Sequence, residues 1–173
     1  NYTKMTPEEA AALIQDGDTL SFSGFTAAGT PRMVPGALAK RAEAEHAAGR
    51  PFKVSLFTGA TTNDQLDDAL AQAKAVDRRL PFNGSAPMRK AINNGEVCYN
   101  DMHLSMVGQY VRYGFMGKID WCIIEAVDIT DLGEITLSGG VGCVDTYAQV
   151  ADKIIIELNS AYDHRIRGMH DIY

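Results

Sequence analysis

The sequence is short of positive charge. Its 16 Lys and Arg side chains are outnumbered by 22 Asp and Glu, which leaves a formal net charge of −6 at pH 7. The basic residues cluster only as pairs, such as Arg78-Arg79 and Arg89-Lys90. Binding to nucleic acid and polybasic attachment to a membrane surface both need a concentrated basic patch. We therefore expect no nucleic-acid partner and no membrane partner.

Features typical of membrane and secreted proteins are also scarce. The apolar run "WCIIEAV" (121–127) is far shorter than the roughly 20 residues that cross a bilayer. The three cysteines, Cys98, Cys122 and Cys143, are odd in number and widely spaced. This usage favours reduced structural thiols in a cytoplasmic protein over a disulfide framework.

Several motifs that would indicate a particular reaction or ligand are absent from the sequence. The chain has no G-x-G-x-x-G and no G-x-x-x-x-G-K-[ST], so dinucleotide binding and P-loop hydrolysis lose support. The nucleophile elbow G-x-S-x-G is absent as well. His164 and His170 stand six residues apart without an H-E-x-x-H or Cys-x-x-Cys neighbour, and we therefore predict no metal site.

What the sequence does contain is a regular alternation of β-like and helix-like segments. Seven β-like runs cover 19–25, 53–60, 78–84, 96–101, 120–129, 133–139 and 153–159. About six helices are predicted, at 6–14, 31–47, 61–76, 85–95, from an Asp101 cap to Phe115, and at 146–152. Such alternation predicts an α/β domain with an open, mostly parallel sheet flanked by helices.

Small polar residues and glycines gather where the β-like runs end. In the first of these turns, "SGFTAAG" (23–29), the bulky Phe25 stands between Gly24 and Gly29. Ligands of open α/β sheets bind at the carboxyl ends of the strands, and the N–H groups of a following helix favour an anion. Turn geometry alone explains any one such turn. Several of them at one edge of a sheet predict a site there for a carboxylate or a phosphate.

Two carboxylates and one histidine are further candidates. Glu125 and Glu157 come near the ends of the apolar runs "WCIIEA" and "IIIELN". Since a bare buried charge is costly, each must be paired, hydrogen-bonded to N–H groups, or turned towards a cleft as a nucleophile or base. His103 stands at the start of a predicted helix, where a solvated or capping histidine and a catalytic base are the alternatives.

Three segments resemble a known family. They are "SGFTAAGTP" (23–31), "YNDMHLS" (99–105) and "ADKIIIELN" (151–159), and less specific matches fill the rest of the chain in the same order. Together they resemble the amino-terminal half of the acetyl-CoA hydrolase/transferase family. This branch of the class I coenzyme A transferases includes succinate, acetate, propionate and 4-hydroxybutyrate CoA-transferases. The resemblance implies that residues 1–173 are the first of two similar α/β domains, the second being absent from this chain.

The resemblance also implies a reaction, the ping-pong transfer of coenzyme A between short-chain carboxylic acids such as succinate and acetate. In the family a glutamate attacks the acyl-CoA, and a mixed anhydride and then a glutamyl-CoA thioester form. That glutamate belongs to the second half, so no catalytic residue is expected here, and coenzyme A is a substrate rather than a cofactor. Ser23, Gly24, Phe25, Thr26 and Gly29 would form one wall of the acyl pocket.

Within that wall, Phe25 would shield the anhydride from water, and N–H groups near Thr26 to Gly29 are candidates for holding the acceptor carboxylate. The expected partners are acyl-CoA and carboxylate substrates and the carboxy-terminal half of the same protein, while a homo-oligomer stays open. An acyl-CoA hydrolase of the same family, a non-catalytic α/β binding module and a sugar-phosphate isomerase or deaminase-like protein are the alternatives. The isomerase alternative suffers from the sparse phosphate cradle in "FTGATTND" (57–64).

Overall fold

A seven-stranded sheet forms the centre of the protein in the computed structural model, which describes residues 2–61, 64–166, 168–169 and 172. The strands are β1 (Thr19–Phe22), β2 (Val54–Thr61), β3 (Val76–Asn83), β4 (Cys98–Tyr99), β5 (Trp121–Ile129), β6 (Ile135–Leu137) and β7 (Lys153–Leu158). Their order is β4-β3-β2-β1-β5-β6, and β7 also pairs with β5. Each described strand pair is parallel except β5 with β6. The open, mostly parallel sheet predicted from the sequence is confirmed.

Helices cover both faces of this sheet. They are α1 (Pro7–Leu13), α2 (Met33–Ala47), α3 (Ala69–Gln72), α4 (Ala86–Asn93), α5 (Leu104–Arg112) and α6 (Val144–Val150), with a π-helical turn (Asp64–Asp68) leading into α3. One apolar core joins the sheet to α1, α2, α3 and α4, and a second core joins it to α5 and α6. The fold is therefore a three-layer α/β arrangement.

Strand β5 explains why the run "WCIIEAV" is almost wholly apolar. Trp121 and Ile123 belong to the first core, and Cys122 and Ile124 belong to the second. Successive side chains of a strand point to opposite faces, and both faces of this strand are covered by helices. A central parallel strand consequently has no solvent face on which polar residues would alternate.

Helices α2 and α3 have boundaries that differ from the prediction. The helix expected from Pro31 begins at Met33, so Pro35 is its third residue. The first four N–H groups of a helix have no partner inside it, and a proline at this position therefore loses no helical hydrogen bond. The helix expected to reach Val76 ends earlier, because the chain turns at Lys74 with a φ of +53°. Val76 instead starts β3.

Helix α5 is also shorter than predicted. It begins at Leu104, so the proposed Asp101 cap was wrong, and His103 occupies the N-cap position without a side-chain capping hydrogen bond. At the other end, Gly114 adopts a φ of +76° and turns the chain away from the helix axis. Phe115, the predicted last residue of this helix, lies beyond that turn and is for this reason 71% exposed.

The parallel register brings the ends of several strands to one edge. Glu125 of β5 is paired with Glu157 of β7, and Phe22 at the end of β1 is paired with Ile123. Residues paired in a parallel ladder point to the same face, so the two glutamates share a face near this edge. The turn after β1 lies directly beside them.

Candidate functional site

The turn after β1 projects from the carboxyl edge of the sheet. Strand β1 ends at Phe22, and Gly24 follows with a φ of +111°, a conformation that side chains rarely adopt. The N–H of Phe25 donates to the carbonyl of Ala28 at 2.9 Å, and the N–H of Ala28 donates back to the carbonyl of Phe25 at 3.1 Å. These two bonds close a tight turn at residues 25–28. The side chain of Phe25 is half exposed at its tip.

Ser23 lies behind the turn and fastens it to the sheet. Its side chain is fully buried, and its hydroxyl donates to the carbonyl of Gly29 at 2.7 Å. The same hydroxyl accepts the N–H of Glu125 at 2.9 Å. Ser23 therefore joins both ends of the turn to β5.

Most N–H groups of the turn are engaged within the protein. Gly24 N–H donates to the carbonyl of Val141 at 3.3 Å, and Thr26 N–H, at a residue with a φ of +55°, donates to the carbonyl of Ala60 at 2.8 Å. With the two bonds inside the turn, four of its amides already donate to backbone oxygens. Of the N–H groups near Thr26 to Gly29 that were candidates for holding a carboxylate, those of Thr26 and Ala28 are thus used to hold the turn, and the amide of Ala27 lies at the exposed tip.

Three backbone segments meet closely at this edge. The glycines that allow the contact are Gly24 and Gly29 in the turn, Gly59 in β2, and Gly140 and Gly142 after β6. A methyl group on Gly29 would lie 2.2 Å from the carbonyl oxygen of Gly140. The sequence signalled glycines at strand ends, but it did not reveal that the segment after β6 packs against the turn after β1.

Glu157 caps the amino terminus of α2. Its carboxylate accepts the backbone N–H groups of Arg32 at 2.8 Å, Met33 at 3.0 Å and Val34 at 3.1 Å. A carboxylate is favoured at this position by the free N–H groups and by the helix dipole. Of the alternatives for Glu157, the hydrogen-bonded structural one is therefore confirmed. The anion position predicted at the start of this helix is filled by the protein's own side chain.

Glu125 lies at the side of a cleft next to that cap. Its side chain is buried, with 6% exposed, and Oε1 accepts the side-chain amide of Asn159 at 3.3 Å. The cleft has a volume of about 350 Å³ and is lined by both glutamates, the turn from Ala27 to Gly29, the start of α2, and the end of β7 with the segment after it; the residues of the last two groups are Arg32, Met33, Leu158, Asn159, Ser160 and Tyr162. The group that donates to Glu125 is therefore a neutral amide. This geometry does not identify Glu125 as a nucleophile.

A buried ion pair supports the neighbouring strand ends and was not predicted from the sequence. Arg79 and Asp67 have fully buried side chains, and Arg79 Nε donates to Asp67 Oδ1 at 2.8 Å. Arg79 also donates to the hydroxyl of Thr61 and, at 3.0 Å, to the carbonyl of Phe82. Its guanidinium therefore ties the π-helical turn to the carboxyl ends of β2 and β3. No pattern in "DRRLPF" distinguishes Arg79 from the half-buried Arg78 beside it.

The three cysteines are free thiols in different environments. Cys98 is exposed, Cys143 is half-buried and Cys122 is buried. Burial raises the pKa of the Cys122 thiol to about 12, and burial is also the main cause that raises the pKa of Cys143.

The buried Tyr147 hydroxyl donates to the carbonyl of Thr58 at 2.8 Å, and burial raises the pKa of this tyrosine far above its usual value.

The remaining candidates lie apart from the edge or carry no ligand geometry. The imidazole of His103 is exposed, which agrees with the solvated alternative. In the part of the chain that the structure describes, no group of three or more His, Cys, Asp and Glu side chains is placed to hold a metal ion. His170 lies outside the described residues. Among the described helices, none is both long enough and apolar enough to pass through a membrane.

Comparison with known proteins gives a consistent picture. The family model of the acetyl-CoA hydrolase/transferase N-terminal domain matches residues 1–173. The propanoyl-CoA:succinate CoA transferase of Escherichia coli is 44% identical over 171 residues, which are 99% of this chain and 35% of that protein. The succinyl-CoA:acetate CoA-transferase of Clostridium kluyveri is 43% identical over 98% of this chain and 31% of its own length.

Hydrolases are among the relatives as well. An acetyl-CoA hydrolase of Saccharomyces cerevisiae is 36% identical over 99% of this chain and 34% of that protein. This chain therefore spans about a third of the length of the curated relatives that it matches.

Two solved structures share the fold. The RipA structure from Yersinia pestis superimposes with a TM-score of 0.68 at 22% identity, over 90% of this chain and 36% of that one. Glutaconate coenzyme A-transferase from Acidaminococcus fermentans superimposes with a TM-score of 0.66 at 13% identity, over 88% of this chain and 68% of that one.

Proposed function

Because the chain belongs to the acetyl-CoA hydrolase/transferase family, we propose that it is the amino-terminal domain of an enzyme that moves coenzyme A between short-chain carboxylic acids. The observation that carries this proposal is the match of residues 1–173 to the family's amino-terminal domain, together with relatives that are CoA-transferases at 44% and 43% identity. Since those relatives are about three times longer, the nucleophile and most coenzyme A contacts are assigned to a second, carboxy-terminal domain.

The proposed reaction begins when a glutamate of the second domain attacks the thioester carbonyl of the acyl-CoA. The C–S bond breaks, coenzyme A leaves as a thiolate, and an acyl-glutamyl anhydride remains. The thiolate then attacks the glutamyl carbonyl, which releases the first acid as its carboxylate and leaves a glutamyl-CoA thioester. The acceptor carboxylate reverses these steps. This domain supplies no nucleophile, and coenzyme A is consumed and regenerated as a substrate rather than held as a cofactor.

The contribution of this domain is a rigid wall beside the anhydride. Phe25 would cover the acyl group, and Gly24, which has no side chain to collide with Thr30, would let the turn pack tightly behind it. Thr26 and Gly29 would frame the wall, with Ser23 holding the turn from behind. The support for this is the tight turn at residues 25–28, its half-exposed aromatic tip and its attachment to three strands. Excluding water protects a reactive anhydride from hydrolysis and so favours transfer.

Hydrolysis is the second candidate function, because acetyl-CoA hydrolases are 35–40% identical to this chain. The two activities differ in whether water or a carboxylate resolves the intermediate. An enzyme of this family whose wall admits water would release free coenzyme A without forming a new thioester. On this proposal, the extent to which Phe25 excludes water decides between transfer and hydrolysis.

The test uses the complete protein that contains this domain, incubated with succinyl-CoA and acetate. The proposal expects acetyl-CoA as product, and treatment of the acyl-CoA-loaded enzyme with hydroxylamine or borohydride should modify one glutamate of the second domain. Absence of both exchange and adduct rejects the proposal and leaves the non-catalytic binding module. Free coenzyme A formed at the same rate with and without acetate, with little acetyl-CoA, identifies the hydrolase.

The role of the wall is tested by Phe25→Ala with Phe115→Ala as its control. Both residues are exposed phenylalanines, but Phe115 follows α5 and lies towards the amino end of β5. We expect Phe25→Ala to increase the share of thioester lost to water and Phe115→Ala to leave that share unchanged. If the two variants lose the same share of thioester to water, Phe25 is not part of the acyl wall.

The isolated domain has a separate expectation. We expect it to be inactive and to bind coenzyme A weakly or not at all in a calorimetric titration, since the second domain supplies most contacts. Micromolar binding by residues 1–173 alone, about −8 kcal/mol, would contradict this division of roles.

A further inference from the structure

The segment after β6, residues 138–142 with the sequence "SGGVG", packs against the inner side of the turn after β1. The contact is made by backbone atoms on both sides. A methyl group on Gly140 would lie 2.2 Å from the carbonyl oxygen of Ala28 and 3.0 Å from the nitrogen of Phe25. Ordinary contacts of this kind begin at 3.4 Å. The two segments are therefore as close as their backbones allow.

The same segment also holds the base of the turn. The carbonyl of Val141 accepts the N–H of Gly24 at 3.3 Å. A methyl group on Gly142 would lie 2.5 Å from the carbonyl oxygen of Gly24, and one on Gly59 of β2 would lie 2.8 Å from that oxygen. Gly24 is thus held between the segment after β6 on one side and β2 on the other.

Two adjacent glycines show that space, rather than backbone conformation, requires glycine at position 140. Neither Gly139 nor Gly140 has a φ in the left-handed region. A methyl group on Gly139 would meet only the hydroxyl of Tyr162, at 3.4 Å, which is an ordinary contact. A methyl group on Gly140 would instead push directly on Ala28. Since Ala28 is joined to Phe25 by two hydrogen bonds, the push passes to Phe25.

We propose that residues 140–142, with Gly140 making the closest contact, position the turn so that Phe25 stands at the depth that excludes water from the acyl pocket. Gly140 is thus a positioning residue that acts through Ala28 and Phe25, and it touches no substrate. This inference rests on the proposed function.

The test compares Gly140→Ala with Gly139→Ala in the complete protein, using succinyl-CoA and acetate. A displacement of about 1 Å near reacting groups costs about 100-fold in rate, and we expect a loss of that order in kcat/KM for Gly140→Ala. The share of thioester lost to hydrolysis should rise in this variant, and kcat should fall more than KM changes. Gly139→Ala should match the wild type in rate and in partition.

A second measurement does not depend on activity. Amide hydrogen exchange reports on the Phe25 and Ala28 N–H groups that close the turn. We expect Gly140→Ala to exchange these amides faster while the amides of β5 keep their protection. Unchanged exchange in the turn, or equal partition between water and acetate in Gly140→Ala and Gly139→Ala, would overturn the inference.

The outcomes separate the inference from the proposed function. If the wild type transfers no coenzyme A, the proposed function fails. If the wild type does transfer coenzyme A but Gly140→Ala and Gly139→Ala have the same rate and the same partition, only the positioning role fails. If Gly140→Ala does not fold, Gly59→Ala replaces it, because its methyl group pushes on Gly24 from β2 with a milder 2.8 Å contact. It should shift the partition in the same direction by a smaller factor. If neither variant folds, the close contacts at Gly24 and Ala28 serve folding alone and the inference is wrong.

Discussion

Replacing Glu157 by glutamine should destabilise the protein through helix α2, which this side chain caps from β7. The N-cap residue Arg32 makes no capping bond with its own side chain. The Glu157 carboxylate instead accepts the N–H groups of Arg32, Met33 and Val34 at 2.8–3.1 Å. Glutamine keeps one acceptor oxygen, loses the negative charge, and turns an NH₂ group towards backbone N–H groups.

The magnitude follows from the two contributions that are lost. A side-chain cap contributes about 0.5–2 kcal/mol, and a negative charge at a helix amino terminus contributes about 0.3–1 kcal/mol at a surface and up to about 2 kcal/mol when partly buried. Glu157→Gln should therefore lower the free energy of unfolding by about 1–3 kcal/mol. For a chain of this size each kcal/mol lowers the melting temperature by about 2–4 °C.

The assay is thermal unfolding followed by circular dichroism, with Glu43→Gln as the matched control. Glu43 is an exposed glutamate on α2 itself. The control therefore also removes one negative charge, but it leaves the first turn of the helix unchanged. We expect the control to melt close to the wild type. Equal melting temperatures for Glu157→Gln and Glu43→Gln would refute the capping role. Loss of a covalent glutamyl adduct in a Glu157→Gln variant of full stability would restore the nucleophile alternative.

Three further predictions concern other parts of the fold. Asp67→Asn should cost about 3–5 kcal/mol because it leaves the Arg79 guanidinium buried beside a neutral partner, and urea unfolding should show this as a lower midpoint. At pH 8 a disulfide reagent should label Cys98 rapidly and Cys122 only after unfolding, since a pKa raised to about 12 leaves almost no thiolate at a buried sulfur; rapid labelling of Cys122 in the native protein would contradict the structure. Thr6→Ala removes the capping box of α1 and should lower the melting temperature by about 2–4 °C in the same thermal scan; an unchanged value would show that packing alone holds this helix.

The architecture was predictable because its signals are local. The run "WCIIEAV" is apolar on both faces, and this alone indicates a central strand covered by helices on each side. Gly24 and Phe25 directly after a β-like run likewise indicate a turn at a strand end. These features depend on residues within a few positions of one another, and the structure confirms the sheet to which they belong.

Boundaries and contacts that depend on distant residues were not predictable in the same way. Helix α2 begins at Met33 because Glu157, more than 120 positions later, supplies its cap. The packing of Gly140 on Ala28 joins segments about 110 positions apart, and neither segment contains a sequence pattern that predicts this contact. Local patterns restrict which residues can meet, but only the register of β5 with its neighbours decides which of them do.

The cap on α2 has an electrostatic consequence for any anion that approaches this edge. A helix amino terminus at a strand edge normally attracts phosphate, but here Glu157 already neutralises it, and Glu125 adds a second negative charge beside it. The exposed Arg32 lines the same cleft and is the positive charge that opposes the two glutamates there. The attraction of an anion to this edge therefore depends on the balance between Arg32 and the two carboxylates, and the ionic-strength dependence of its association rate would measure that balance.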